Sequence, residues 1–287
     1  MNALTDRLKS WPLYVLPHHL VSRVVFFLTR RQGRLVPSAI RYFCRLFNVN
    51  LQEANRTRPE QYQSFNDFFT RDLQPQVRPV DTTAAGIACP VDGCVSQLGP
   101  IDATSIFQAK HRHYSLLDLL GGRQSDAEPF IDGQFATLYL SPRDYHRIHM
   151  PLSGTLRSMH YIPGRLFSVA PHTVRVVPRL FARNERVVAL FDTDAGKLAM
   201  VLVGAINVAA IETVWAGLVT PPNRKKIEYR DYNSSTDTPV LLDKGAEMGR
   251  FNMGSTVILL LQKGAQFQPE LAEGSAIRMG ELIGHCK

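Results

Sequence analysis

The sequence predicts an α+β protein, in which a basic, helical N-terminal region precedes a mostly antiparallel β domain. Apolar side chains recur at helical spacing within residues 13–58, whereas from about residue 75 the segments become short, β-branched and separated by turn residues. An apolar content of 45% excludes a disordered chain, and 19 Gly with 18 Pro in 287 residues exclude a low-complexity one. The predicted regions are 1–74 and 75–287.

The N-terminal region carries most of the positive charge. Residues 1–60 hold ten basic and three acidic residues, a balance of +7 within a formal net charge of +8. Ile40, Phe43, Cys44 and Phe47 form an apolar stripe at helical spacing. A basic amphipathic helix is typical of a membrane surface. Packing of these helices on the rest of the protein is the alternative, because an Arg-rich rim is also an ordinary solvated face.

Local signals mark the ends of the predicted elements. Helices should break near Gly33 and around 48–50, Ser64 can cap a short helix, and Gly121 can end a helix over 116–120. The predicted strands cover residues 93–98, 135–140, 154–161, 186–191, 198–203, 209–215 and 256–261.

Neither a membrane span nor a secretory signal is predicted. The uncharged stretch 10–22 has 13 residues and contains Pro12 and Pro17, whereas a span needs about 20 mostly apolar residues. Four cysteines in 287 residues do not form a disulfide scaffold, and their spacing does not suit zinc. We therefore expect a cytosolic protein with free thiols that meets a membrane from the cytosolic side.

Three segments contain residue types suited to catalysis. Asp92 lies in a predicted turn, His146 and His149 follow a strand, and Ser255 precedes the apolar strand 256–261. Each is common in structural turns by itself, and the two histidines lack a third ligand at a recognisable spacing for a metal. Together Asp, His and Ser can activate a hydroxyl nucleophile, although sequence does not show that they meet in space.

These segments resemble the bacterial phosphatidylserine decarboxylases, a self-processing, pyruvoyl-dependent family. Seven motifs in order make the resemblance specific. Met253 stands where the cleavage motif of the family usually has Leu, and we expect processing to survive because Met has a similar volume. The motifs occupy residues 65–71, 90–93, 139–151, 163–169, 180–186, 211–217 and, as the last, 247–251 with 254–256.

The resemblance implies a proenzyme that cuts itself between Gly254 and Ser255. The products would be a β chain, 1–254, and an α chain, 255–287. Ser255 would become the pyruvoyl group that forms a Schiff base with the substrate, without a metal or pyridoxal phosphate.

The resemblance also implies roles for the other candidate residues. His149, oriented by Asp92, would deprotonate Ser255. His146 would assist decarboxylation or protonation, and both histidines would belong to the same site.

The implied reaction converts phosphatidylserine in an anionic membrane into phosphatidylethanolamine and CO2. The enzyme would be peripheral on the cytoplasmic face of the inner membrane, docked through Arg23, Arg30, Arg31 and Arg34, and by family analogy a homodimer. Two alternatives stay open. The first is a hydrolase that uses Asp, His and Ser, although the sequence lacks the Gly-x-Ser-x-Gly motif around the nucleophile. The second is a lipid-binding relative that does not process itself. A nucleic-acid partner is not expected, because no known motif is present.

Overall fold

The computed structural model describes residues 3–102, 104–109, 112–206, 210–220, 225–233, 239–253 and 256–286. Helices combine with antiparallel sheets, which confirms the α+β class. The helices are α1 Ala3–Ser10, α2 Pro12–Val15, α3 His18–Thr29, α4 Val36–Phe47, α5 Phe65–Phe69, α6 Leu116–Leu120, α7 Gln124–Ala127, α8 Pro171–Val174 and α9 Leu180–Arg183. Short 3-10 turns lie at Leu51–Glu53, Pro59–Gln61, Pro75–Val77 and Glu128–Phe130.

The helix ends follow the predicted signals. The hydroxyl of Ser64 accepts the N–H of Asp67 at 3.1 Å and so caps α5. Asn48, with φ of 55°, ends α4, and Gly121, with φ of 101°, ends α6. These three boundaries depend on neighbouring residues in the chain, and the predictions for them are confirmed.

The predicted strands are confirmed except at residues 209–215. Strand β10 is shorter than predicted because a turn follows Thr213. Residue 209 lies outside the described residues. The first nine strands are β1 Gly86–Ala88, β2 Gly93–Pro100, β3 Ser105–Ala109, β4 Arg112–Ser115, β5 Gln134–Tyr139, β6 Arg147–His149, β7 Gly154–Ile162, β8 Arg186–Thr193 and β9 Gly196–Val203. The others are β10 Ile211–Thr213, β11 Gly217–Leu218, β12 Glu228–Asp231, β13 Leu241–Leu242, β14 Glu247–Phe251, β15 Thr256–Leu261, β16 Ala265–Phe267, β17 Ala276–Ile277 and β18 Leu282–Cys286.

The largest sheet runs β12-β7-β8-β9-β15-β5-β2-β17, with β13 paired to β7. Strand β15 lies between β9 and β5 and is buried along its whole length, so its sequence is a continuous apolar run. A second sheet runs β11-β10-β14-β6, and two of the six connections between these two sheets concern the candidate site. Residues 140–146 lead from β5 to β6, and residues 252–255 lead from β14 to β15. The candidate site lies where the described ends of these connections meet, with Phe251 beside His146 and Thr256 beside Tyr139.

The N-terminal helices pack on the β domain through specific contacts. Asp6 accepts two hydrogen bonds from Arg175, and Nδ1 of His18 accepts the N–H of Leu166 at 3.3 Å. Another face of these helices stays exposed. Twelve of the sixteen large apolar side chains exposed among the described residues lie between Leu8 and Leu46. No described helix is long and apolar enough to cross a bilayer.

Candidate active site

These two connections between the sheets bring His146 close to the predicted cleavage point. The carbonyl of His146 accepts the N–H of Phe251 at 3.0 Å, and Thr256 pairs with Tyr139. Gly254 and Ser255 lie outside the described residues. Their flanking neighbours are described, and these place the end of the segment 140–146 beside the residues that precede the cleavage point.

His146 is fully buried and holds one defined tautomer. Its Nδ1 lies 2.8 Å from the carbonyl oxygen of Asp144, so Nδ1–H donates and Nε2 carries the lone pair. This Nε2 has no hydrogen-bond partner among the described residues. The centroid of the imidazole ring lies 4.1 Å from the centroid of the Phe69 ring. Burial lowers the pKa of His146 to about 3, and the nearby Arg71 adds to the shift. The imidazole is therefore neutral at physiological pH.

Arg71 supports the segment that carries His146. Its Nη2 donates to the carbonyl oxygens of Arg143 and Asp144 at 3.2 and 3.4 Å. The side chain is buried, and Nε and Nη1 have no hydrogen-bond partner within the described part of the chain. Sequence analysis missed this residue as a site candidate, although it closes the motif 65–71.

His149 is held on both ring nitrogens. Its Nδ1 lies 2.7 Å from the carbonyl oxygen of Gly245, and its Nε2 lies 3.0 Å from the hydroxyl of Tyr145. The residue sits opposite Glu247 on β14, three residues or roughly 10 Å along the chain from His146. Burial lowers the pKa of His149, whereas the Gly245 hydrogen bond and the charge of Glu247 act in the opposite direction.

No described hydrogen bond or ion pair joins Asp92 to His149, so the role of Asp92 in orienting the imidazole stays a prediction. Its carboxylate accepts Arg78 Nε at 2.9 Å and Nη2 at 2.6 Å, and also the N–H of Met279 at 2.8 Å. A buried carboxylate gains most from a guanidinium that binds it at two points. Asp92 acts on His149 through its negative charge, which raises the pKa of the imidazole against the stronger effect of burial.

Two further residues fix the position of Asp92. Arg78 also binds Glu53 at 2.8 Å, which links the end of the N-terminal region to Asp92. Gly93 adopts a φ of 149°, and a Cβ atom there would lie 2.1 Å from the carbonyl oxygen of Tyr139. The residue after Asp92 must therefore be glycine. Sequence analysis did not identify Arg78, because nothing in the sequence marks it as the partner of Asp92.

Unpaired polar atoms flank the cleavage point on both sides. Oδ1 of Asn252 and Oγ1 of Thr256 are buried and have no hydrogen-bond partner among the residues described. Buried polar groups are almost always paired, so such a cluster suggests groups that act on a neighbour. Nε2 of His146 is likewise buried and without a described hydrogen-bond partner, and its residue hydrogen-bonds Phe251, the neighbour of Asn252.

The structure places the remaining predicted residues as follows. Arg23, Arg31 and Arg34 are exposed, whereas Arg30 lies 3.6 Å from Glu212 of the β domain and stacks on Phe26. All four cysteines are free, as predicted. The described His, Cys, Asp and Glu residues form no group of three that could hold a metal ion.

Comparisons with known proteins identify the family. A family model for phosphatidylserine decarboxylase matches residues 65–285, and a second, described as PSD, matches residues 8–48. A phosphatidylserine decarboxylase proenzyme of Shewanella amazonensis is 53% identical over 279 residues, which cover 96% of this chain and 97% of that protein. The proenzyme of Pseudomonas entomophila is 54% identical over 272 residues, 94% of each chain. The chain therefore belongs to the phosphatidylserine decarboxylase family and is a decarboxylase, as the resemblance predicted.

Proposed function

We propose that this chain is a proenzyme that cuts itself between Gly254 and Ser255 and then decarboxylates phosphatidylserine to phosphatidylethanolamine and CO2. Family membership supports the reaction. The observation that supports the site is the cluster of buried, unpaired atoms around the cleavage point, Nε2 of His146, Oδ1 of Asn252 and Oγ1 of Thr256.

Self-cleavage uses only atoms of this chain and water. Oγ of Ser255 attacks the carbonyl carbon of Gly254, loses its proton to a base, and displaces the peptide nitrogen to give an ester. Removal of the Cα proton of residue 255 then breaks the Cβ–O bond and releases the carboxylate of Gly254. The dehydroalanine left at 255 tautomerises and is hydrolysed, which releases ammonia and leaves the pyruvoyl group.

His149 is the proposed base, and Tyr145 is its connection to Ser255. Since Nδ1–H of His149 donates to Gly245, its Nε2 accepts the proton of the Tyr145 hydroxyl. The oxygen of Tyr145 can then accept a proton as its own passes to the imidazole. The route does not require a direct contact between His149 and Ser255.

His146 is the proposed group for the decarboxylation step. The pyruvoyl group at 255 supplies a carbonyl that takes up the substrate amine and accepts electrons as CO2 leaves. A cation beside the leaving carboxylate would stabilise the ground state and raise the barrier, whereas the neutral His146 does not. Its free Nε2 carries a lone pair, so it can accept the proton that the substrate ammonium group loses on binding the carbonyl and then return this proton to the carbon that loses CO2.

The two chains are proposed to stay together after the cut. Strand β15 begins at Thr256 and is buried between β5 and β9, so the α chain 255–287 is held at the centre of the largest sheet. Association of two such molecules as a homodimer is proposed by family analogy alone.

Membrane docking is proposed for the exposed face of the N-terminal helices, on the cytoplasmic side of the inner membrane. Exposed apolar side chains between Leu8 and Leu46 are interspersed with Arg23, Arg31 and Arg34. Each Arg near an anionic surface contributes about 1 kcal/mol, so changing all three to Ser should weaken binding roughly 100-fold. Flotation with anionic vesicles measures this, with Arg179→Ser on the β domain as control. Unchanged flotation would contradict docking through these residues.

Intact mass under denaturing conditions tests self-cleavage. The wild type should give two chains divided at 254/255, with a terminus on the smaller chain that borohydride reduces, and Ser255→Ala should stay one chain of 32.2 kDa. An uncut wild type with esterase activity would favour the hydrolase. An uncut wild type without a ketone would favour the lipid-binding relative.

The same mass measurement separates the two histidines. His149→Ala should remain uncut, whereas His146→Ala should be cut and then fail to decarboxylate phosphatidylserine. The reverse pattern would exchange their roles.

A further inference from the structure

An apolar cavity of about 170 Å³ lies between α4 and the β domain. Its wall includes Met253, the residue immediately before the cleavage pair. Helix α4 contributes Phe43 and Phe47, and α5 contributes Phe69. The rest of the wall is mostly apolar and includes Leu140, Val169, Ala170 and Ile206.

We propose that this cavity binds the proximal part of one acyl chain of the phospholipid substrate. The proposal rests on the proposed decarboxylation of phosphatidylserine and adds a binding site to it. No charged side chain lines the cavity among the described residues, so the phosphate and carboxylate of the headgroup would lose their hydration there without compensation. Hydrocarbon is the part of the substrate that the wall suits.

The position of α4 gives the acyl chain a route to the cavity. The side of α4 that carries Phe43 and Phe47 lines the cavity, whereas Tyr42 and Leu46 on the same helix are 69% and 61% exposed. The helix thus carries an apolar surface continuously from the proposed docking face to the cavity. A lipid that enters over α4 brings its headgroup toward Met253 and the cleavage point.

The volume of the cavity limits how much of the chain it can hold. An apolar cavity of about 150 Å³ accommodates benzene, so about 170 Å³ holds about six carbon atoms. Burial of each methylene contributes about 0.8 kcal/mol, or about fourfold in affinity. The catalytic efficiency should therefore rise about fourfold per carbon up to roughly six carbons and then level off.

A series of lysophosphatidylserines with acyl chains of two to ten carbons tests the proposal. The substrates are used below their critical micelle concentrations, without vesicles, and the enzyme is first shown by mass to be fully processed. Ala170→Leu adds three carbons to the cavity wall, so the plateau should come about three carbons earlier and kcat/KM for the six-carbon substrate should fall roughly 50-fold. Turnover of glycerophosphoserine, which has no acyl chain, should not change.

Two further variants complete the experiment. Ala195→Leu places the same side chain on the exposed turn between β8 and β9 and should behave like the wild type. Phe47→Ala enlarges the cavity and should move the plateau to longer chains, which provides a result even where Ala170→Leu does not fold.

An unchanged chain-length profile in both cavity variants would overturn the proposal, as would an equal loss of glycerophosphoserine turnover. A wild type that is unprocessed, or that turns over none of the series, would instead refute the proposed function.

Discussion

Replacement of Arg78 by Met should strongly destabilise the protein. Arg78 and Asp92 are each about 8% exposed at the side chain and form a buried ion pair with Nη2 2.6 Å from the carboxylate. Met keeps much of the apolar stem of Arg78 but removes every donor. The N–H of Met279, at 2.8 Å, would then be the remaining described hydrogen bond to the Asp92 carboxylate.

Burial determines the expected magnitude. Removal of one partner from a buried pair costs about 3–5 kcal/mol, because the other charge remains without compensation. The second contact of Arg78, with Glu53, is more exposed and contributes about 1 kcal/mol or less. Since typical domains are stable by only about 5–15 kcal/mol, this single change should remove a large part of the stability.

Urea unfolding in a Ser255→Ala background, where the chain stays in one piece, measures the free energy of unfolding. Arg179→Met is the matched control, because its pair with Asp118 is about half exposed on both sides and should contribute under about 1 kcal/mol. Addition of Asp92→Asn to Arg78→Met should recover part of the loss. Equal losses of unfolding free energy in Arg78→Met and Arg179→Met would show that burial does not make the Arg78–Asp92 pair more important than an exposed pair.

Three further predictions concern single residues around the site. The folded pKa of His146, about 3, lies below the unfolded value near 6.5, so the unfolded state binds more protons between these two pH values. Lowering the pH from 7 to 5 should therefore reduce the free energy of unfolding by about 2 kcal/mol. His146→Phe should abolish this part of the pH dependence of urea unfolding. Tyr145→Phe should slow self-cleavage at least tenfold in a gel time course, and an unchanged rate would exclude the relay. Gly93→Ala should destabilise the protein by about 2 kcal/mol more than Gly99→Ala, because Gly99 has a similar φ but ample space for a Cβ atom. Equal effects of the two variants in thermal unfolding would mean that the backbone at Tyr139 moves to accommodate the new methyl group.

The sequence predicts features of the fold that depend on local interactions. Ser64 and Gly121 mark helix ends because a cap hydrogen bond or a left-handed residue acts within one turn. Strand β15 is visible as an apolar run because it is buried on both faces. Strands such as β10 and β11, with two or three residues each, are too short for a periodic pattern to identify them.

The partners of the site residues could not be predicted in the same way. Asp92 and Arg78 are 14 residues apart, and His149 and Gly245 are 96 apart, so the sheet topology alone brings each pair together. The triad pattern suggested an Asp–His contact, but Arg78 is a stronger partner for a buried carboxylate than a neutral imidazole. Residue type thus identified the histidines and Asp92, whereas their hydrogen bonds required the structure.

The two histidines, three residues apart, both have pKa values lowered by burial, but their charged neighbours differ. Close to His146 lies the cation Arg71, and burial is nearly complete, so the protonated form is strongly disfavoured. His149 is less buried and faces Glu247, with the charge of Asp92 also nearby, so its protonated form is opposed less. Environments that push two pKa values apart assign different proton-transfer roles to the same side chain. His149 is thus the better acceptor for the proton of Ser255, and His146 the better neutral neighbour for a carboxylate that must leave as CO2.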